Sequence, residues 1–185
     1  MDFALSWDLV LIGIFCILFA YNFLLGQNGT LKLILSIYIA ILTADGMTQI
    51  IQDFVILPSP NLSGIVIDHE VGFYTALRLI IFFIAIVTFV VRGGFHIKIE
   101  AHDHWFARLV IHGIFSALAV ILFLSTILLY ISGKSFITGI TEVTEISLYS
   151  QSYITQMLID YYQIWFTTPA IAFLVSSFIL PATEE

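Results

Sequence analysis

Charge is scarce in this sequence, and positive charge most of all. Only 10% of the 185 residues are charged, and Lys and Arg together number six, whereas an ordinary globular domain has about 25% charged residues. A water-soluble fold of this size needs charge over most of its surface, so the composition excludes an ordinary soluble domain. The net charge of −7 also leaves no basic patch for nucleic acid.

Cysteine is scarce, and the sequence signatures of enzymes are missing. Cys16 is the single cysteine, so no disulfide can form within the chain. We find no phosphate-binding glycine loop, dinucleotide glycine pattern, nucleophile elbow or zincin helix. The sequence therefore predicts neither an enzyme nor a cofactor.

Long apolar runs are what the sequence does contain, since 60% of its residues are hydrophobic and its mean hydropathy is +1.05. A helix that crosses a bilayer needs about 20 apolar residues, because each rises about 1.5 Å through about 30 Å of hydrocarbon. The sequence predicts an all-α, polytopic transmembrane helical bundle, with residues 1–185 as a single integral membrane domain that has the lipid bilayer as its partner. Four spanning helices are predicted at about 5–25, 31–52, 71–91 and 109–131, and a fifth at 161–183, which contains Pro169, stays open.

The connections between these runs predict an orientation. Residues 92–108 hold Arg92, Lys98 and Arg108, half of all the basic residues, so this connection should face the cytoplasm. The N-terminus and the second connection are acidic and should lie outside. Because the chain opens without basic residues and without a small-residue cleavage site, we expect its first helix to be retained. Apolar and polar residues alternate at 95–102, which predicts a short strand. Apolar residues recur at helical spacing in 137–148, which predicts an amphipathic helix along the membrane surface or against the bundle.

Asp45 and Arg78 are the charged residues that fall deep within predicted spans, whereas Asp8 and Lys32 lie near span ends. A lone charge in hydrocarbon costs about 2.5–3.5 kcal/mol on insertion scales, so such groups usually find a partner. Each lies seven residues from the outer end of its helix, about 10 Å deep at about 1.5 Å per residue. We expect an intramembrane ion pair that fixes helix register, in preference to a polar pathway, because one pair does not make a path.

Histidines form the second candidate site. His96, His102 and His104 precede the fourth predicted helix, and imidazole can ligate zinc. Their spacing matches no established metal motif, so we interpret them as interfacial side chains, with metal binding as the alternative, and predict no metal. His112 is a candidate pH-responsive group near a membrane surface, and a hydrogen bond to a neighbouring helix is the alternative.

Small and aromatic residues predict packing features. Gly113 and Ala117 lie four apart on the fourth predicted helix, where they would let another helix approach closely. This indicates association within the bundle, with other membrane proteins or between copies. Tyr161, Tyr162 and Trp165 fit an interfacial aromatic belt or an amphipathic helix core equally well.

The order of these parts resembles the colicin V production protein family of bacterial inner-membrane proteins. The resemblance lies in an outside N-terminus, a helix pair, a basic inner connection, a fourth helix with Gly and Ala, and an aromatic tail. It implies a cell inner membrane protein linked to envelope processes, with no established biochemical activity. The pieces that correspond are Ser6-Trp7-Asp8-Leu9, residues 92–108, residues 113–119 and Asp160-Tyr161-Tyr162.

Two functions follow from these observations. The first is a small multi-pass protein that serves as a structural or accessory component of a bacterial membrane complex. The alternative is a channel or transporter with a polar path through Asp45, Arg78 and His112. Transporters often carry broken helices at matching places in two repeated halves, and Asp45-Gly46 offers one break without a visible second. We therefore favour the first function.

Overall fold

The described part of the chain is built from helices. A computed structural model of the protein describes residues 7–56, 70–93, 105–136 and 152–179. The predicted strand at 95–102 and the predicted surface helix at 137–148 lie outside these ranges. The helices are α1 (Trp7–Ile51), which continues into a π-helical turn (Gln52–Ile56), α2 (Glu70–Arg92), α3 (Trp105–Ile131), α4 (Tyr153–Asp160) and α5 (Tyr162–Ile179).

Helix α1 is interrupted at Gly26, whose φ of 79° and ψ of 169° are not helical. This backbone region is open essentially to glycine alone. The first segment of α1, residues 7–25, runs along α3 in the direction opposite to that of α3. Asn22 near its end donates to the Ser116 carbonyl, and Leu11 near its start shares an apolar cluster with Leu124.

The second segment of α1, residues 27–51, runs along α3 in the same direction as α3. Thr30 at its start meets Ser116, with 3.5 Å between their hydroxyl oxygens. Further along, the Tyr130 hydroxyl donates to the Ile41 carbonyl at 3.4 Å. Both segments therefore extend from Gly26 toward the same end of the bundle. The two predicted runs at 5–25 and 31–52 correspond to these segments and form a helical hairpin that turns at Gly26.

Helix α3 is central in the bundle, where it contacts α1, α2, α4 and α5. Of its most apolar 18-residue stretch, 61% is buried, compared with 11% in α1 and 22% in α2. One apolar cluster joins α1, α2 and α3 around Ile37, Phe82 and Tyr130. A second cluster joins α1, α3 and α4 around Leu11 and Ile159.

The last two helices, α4 and α5, pack back onto α1. Ser152 caps α4 by accepting from the Thr155 amide, and its hydroxyl donates to the Asp8 carboxylate at 2.6 Å. In α5, the Phe166 carbonyl accepts a hydrogen bond from the Tyr38 hydroxyl. Helix α5 begins at Tyr162, where the fifth predicted run began at 161, and α4 precedes it as a separate short helix.

The outward surface of the bundle is strongly apolar, as lipid exposure requires. Ile17, Leu24 and Val91 are 71%, 85% and 73% exposed, and leaving many such side chains in water is unfavourable. By length and composition, three helical stretches among the described residues can cross a membrane: Trp7–Phe54, Gly72–Arg92 and Leu109–Ile131. The prediction of a helical membrane protein is confirmed at this level for the described residues. The finer prediction of four or five spans stays a prediction, and α5 is not among the three stretches.

Candidate functional site

Asp45 and Arg78 meet inside the bundle. Asp45 lies on the second segment of α1 and Arg78 lies on α2, and 3.8 Å separate Asp45 Oδ1 from Arg78 Nε. The Asp45 side chain is fully buried and that of Arg78 is 10% exposed. The structure thus brings together the two charged residues that the sequence placed at matching depth.

A third element completes the surroundings of the Asp45 carboxylate. Its Oδ2 accepts a hydrogen bond from the Phe136 amide at 3.0 Å, and the side chains of Ser135 and Tyr130 approach the same carboxylate. Oδ1 and Arg78 Nε have no hydrogen-bond partner among the described residues, since 3.8 Å exceeds hydrogen-bond range. The carboxylate therefore joins α1, α2 and the segment after α3 through a charge contact with Arg78 and hydrogen bonding that includes the Phe136 amide.

The segment after α3 reaches Asp45 because of how α3 ends. Gly133 has a φ of 76°, its amide donates to the Tyr130 carbonyl, and the Lys134 amide donates to the Leu129 carbonyl. This pair of bonds around a left-handed glycine is a Schellman motif, which turns the chain off the helix axis. A glycine such as Gly133 after a long apolar run is a sequence signal that could have predicted this turn, whereas nothing in the sequence indicates its contact with Asp45.

His112 supplies a hydrogen bond at the hairpin of α1. Its Nε2 lies 2.9 Å from the Phe23 carbonyl oxygen, and the two rings are 4.8 Å apart. A carbonyl oxygen only accepts, so Nε2 carries the proton. Phe23 precedes the interruption at Gly26, where helical carbonyls lose their usual donors, and His112 replaces one of them. The buried Nδ1 has no partner among the described residues.

A polar cluster that the sequence did not reveal surrounds the same hairpin. Thr30 Oγ1 lies 3.3 Å from the Asn22 carbonyl oxygen and 3.1 Å from the Gly26 carbonyl oxygen. Asn22 Nδ2 donates to the Ser116 carbonyl at 3.4 Å. Thr30 thus bonds backbone carbonyls beside the interruption at Gly26, as their burial demands, and Asn22 links the hairpin to α3. The cluster is a structural cap for the hairpin.

The charge pair and His112 lie far apart. His112 is level with the hairpin, and Asp45 is fifteen residues beyond Thr30, which is about 22 Å at about 1.5 Å per helical residue. Two cavities in the described part of the bundle, of about 160 and 290 Å³, are lined almost entirely by apolar side chains. Neither of these two cavities is lined by Asp45, Arg78 or His112, and the polar path through these three residues stays a prediction.

The remaining predicted site residues are spread over the chain. A Cβ built on Gly113 would meet no atom within 4 Å, so no described helix packs closely there, and Ala117 is half-buried. His96, His102 and His104 lie outside the described residues, among which no group of three or more His, Cys, Asp or Glu could hold a metal.

The aromatic residues near the start of α5 play different roles. Tyr161 is exposed, as a belt residue would be. Tyr162 instead packs inward on Phe136, with 5.6 Å between ring centroids. The Trp165 indole donates to the Met157 carbonyl at the end of α4. Tyr162 and Trp165 therefore have contacts within the protein, and the interpretation of Tyr161 as a belt residue stays a prediction.

Comparison with known proteins does not add a function. The chain matches no family model, no curated protein and no solved structure. The resemblance to the colicin V production protein family therefore stays a prediction. The features that bear on function are therefore the buried charge pair, the hairpin cluster and the apolar cavities.

Proposed function

We propose that this protein is a four-pass helical bundle that acts as a structural or accessory component of a bacterial inner-membrane complex. The observation that carries the proposal is the enclosure of the charge pair, because the Asp45 side chain is fully buried and its Oδ2 is bonded to the Phe136 amide. A transport site must exchange its ligand with water. A carboxylate enclosed by three packed elements is instead suited to a structural role, in which the charge pair sets the register of the helices.

Four passes are supported by the hairpin. The first and second segments of α1 extend from Gly26 toward the same end of the bundle, and each is long enough to cross about 30 Å of hydrocarbon at about 1.5 Å per residue. With α2 and α3 this makes four crossings. The basic residues of the 92–108 connection then favour a cytoplasmic position for that connection and for the hairpin, and an outside N-terminus.

Access of water to the charge pair provides the test of this proposal. In a Cys16→Ser background, Ser135→Cys places a thiol beside Asp45, and Asn28→Cys places one at an exposed position of the hairpin. We expect a charged, membrane-impermeant maleimide to label Asn28→Cys in opened membranes. Ser135→Cys should react only after denaturation with SDS.

Labelling of Ser135→Cys in the native bilayer would instead support the alternative function, a channel or transporter. One observation favours that alternative, namely that Oδ1 of Asp45 and Nε of Arg78 are buried without hydrogen-bond partners among the described residues. Purification of the tagged chain from native membranes, with an untagged strain as control, gives an independent readout. An accessory protein should bring defined partners in constant ratio, and recovery of the chain alone would contradict the proposal.

A further inference from the structure

An apolar groove lies between the second segment of α1 and α5. Leu31, Leu35 and Tyr38 form one wall, and Pro169, Ala170 and Phe173 contribute to the other. The groove encloses about 290 Å³ and almost all of its lining is apolar. No described side chain fills the groove.

The two ends of the groove differ. At the deep end, the Tyr38 hydroxyl donates to the Phe166 carbonyl, and the two rings meet edge to face with centroids 4.9 Å apart. This contact closes the groove toward the middle of the bundle. Toward the hairpin, Phe173 and Leu174 are 42% and 57% exposed, so the groove opens to the surrounding lipid.

A basic residue, Lys32, lies near the end of the groove that opens toward the hairpin. Lys32 follows Leu31 and precedes Leu35 by one turn, so it neighbours two lining residues on the helix surface, although its side chain does not line the groove. No described carboxylate lies within ion-pairing distance of Lys32. A long Lys side chain below a membrane surface extends its ammonium toward the headgroups. The polar stretch at 26–30 places that surface just beyond Lys32.

We propose that this groove binds one anionic phospholipid, with an acyl chain between α1 and α5 and the headgroup phosphate at Lys32. Tyr38 lies seven positions after Leu31, which is about 10 Å at about 1.5 Å per residue and less than the depth of one leaflet. The groove therefore takes the upper part of a single chain. The binding depends on membrane insertion and is independent of the accessory role proposed above.

Native mass spectrometry tests this site directly. The full chain is reconstituted in nanodiscs with equal amounts of phosphatidylglycerol and phosphatidylcholine, released in the spectrometer and weighed with its retained lipid. We expect one retained phosphatidylglycerol per wild-type chain. Lys32→Gln should lower the preference over phosphatidylcholine about fivefold, which is typical of one basic residue near a membrane surface.

Matched variants distinguish lipid binding in the groove from general attraction of anionic lipid to basic residues at the protein surface. Arg92→Gln removes an exposed positive charge at the end of α2 and should leave the preference unchanged. Ala170 and Ala20 are both exposed, and of the two only Ala170 lines the groove. Ala170→Phe should therefore abolish retention of both lipids, whereas Ala20→Phe should not.

Three outcomes would overturn the proposal. The first is retention that Ala170→Phe leaves intact, and the second is an equal effect of Lys32→Gln and Arg92→Gln. The third is a dimer mass that Ala170→Phe converts to monomer, since a second copy would then occupy the groove. Correct folding of each variant is checked by its circular dichroism and its elution volume in detergent.

Discussion

At the scale of single residues, the Asp45–Arg78 contact is the feature whose disruption should cost the most unfolding free energy. Both groups have left water, and their separation of 3.8 Å gives a charge contact without a direct hydrogen bond. Buried pairs of this kind contribute little net stability compared with an apolar pair, yet either charge is costly when it is left alone. The value of the pair thus lies in how it constrains the three elements that meet there.

The pair can be tested by removing one charge or both. Asp45→Asn leaves a buried guanidinium without a counter-charge, and Arg78→Met leaves a buried carboxylate, so each single variant should lose about 3–5 kcal/mol of unfolding free energy. The double variant Asp45→Asn/Arg78→Met removes both charges and keeps an acceptor for the Phe136 amide. We expect it to lose less than either single variant.

Unfolding by SDS in mixed micelles, followed by circular dichroism, measures these differences. Lys32→Gln is the control, because this half-buried charge forms no ion pair with a described carboxylate and its loss should leave stability nearly unchanged. Additive losses in the double variant would show that the two side chains do not interact in the folded protein.

At the scale of elements, the interruption of α1 determines the architecture. Gly26 holds a backbone conformation that other residues adopt only with strain, and the carbonyls it exposes are bonded by Thr30 and His112. The hairpin therefore combines one permissive glycine with side chains from two helices.

Substitution of Gly26 tests this description. Gly26→Ala should lower the unfolding free energy by about 1–3 kcal/mol, because alanine is strained at a φ of 79°. Gly13→Ala is the matched control, since Gly13 lies in the helical part of α1 and a Cβ there would meet no atom within 4 Å. The same SDS titration serves for both, and equal effects at the two positions would refute the special role of Gly26.

Sequence reasoning succeeded where one local property decides the structure. Apolar runs of about 20 residues are helical in a membrane because each must bond its own backbone, and Asp45 and Arg78 could be placed by depth alone. The contacts of Asn22 with Ser116 and of Asp45 with Phe136 join residues 94 and 91 positions apart. Their partners depend on how helices rotate and cross, which hydropathy does not encode.

At the scale of the whole molecule, the hairpin and the apolar exterior together imply a topology. Asn28 at the turn of the hairpin and Asp53 in the π-helical turn after α1 are both exposed. If the second segment of α1 crosses the bilayer, these two residues lie on opposite sides of it. The proposed orientation places Asp53 outside and Asn28 in the cytoplasm.

Cysteine labelling in spheroplasts decides between these arrangements. In the Cys16→Ser background we expect an impermeant maleimide to label Asp53→Cys in intact cells and Asn28→Cys only after permeabilisation. The physical reason is that a charged reagent does not cross about 30 Å of hydrocarbon. The opposite pattern would invert the orientation and leave the hairpin intact. Labelling of both positions from one side would contradict the crossing itself, and the four-pass bundle would have to be abandoned.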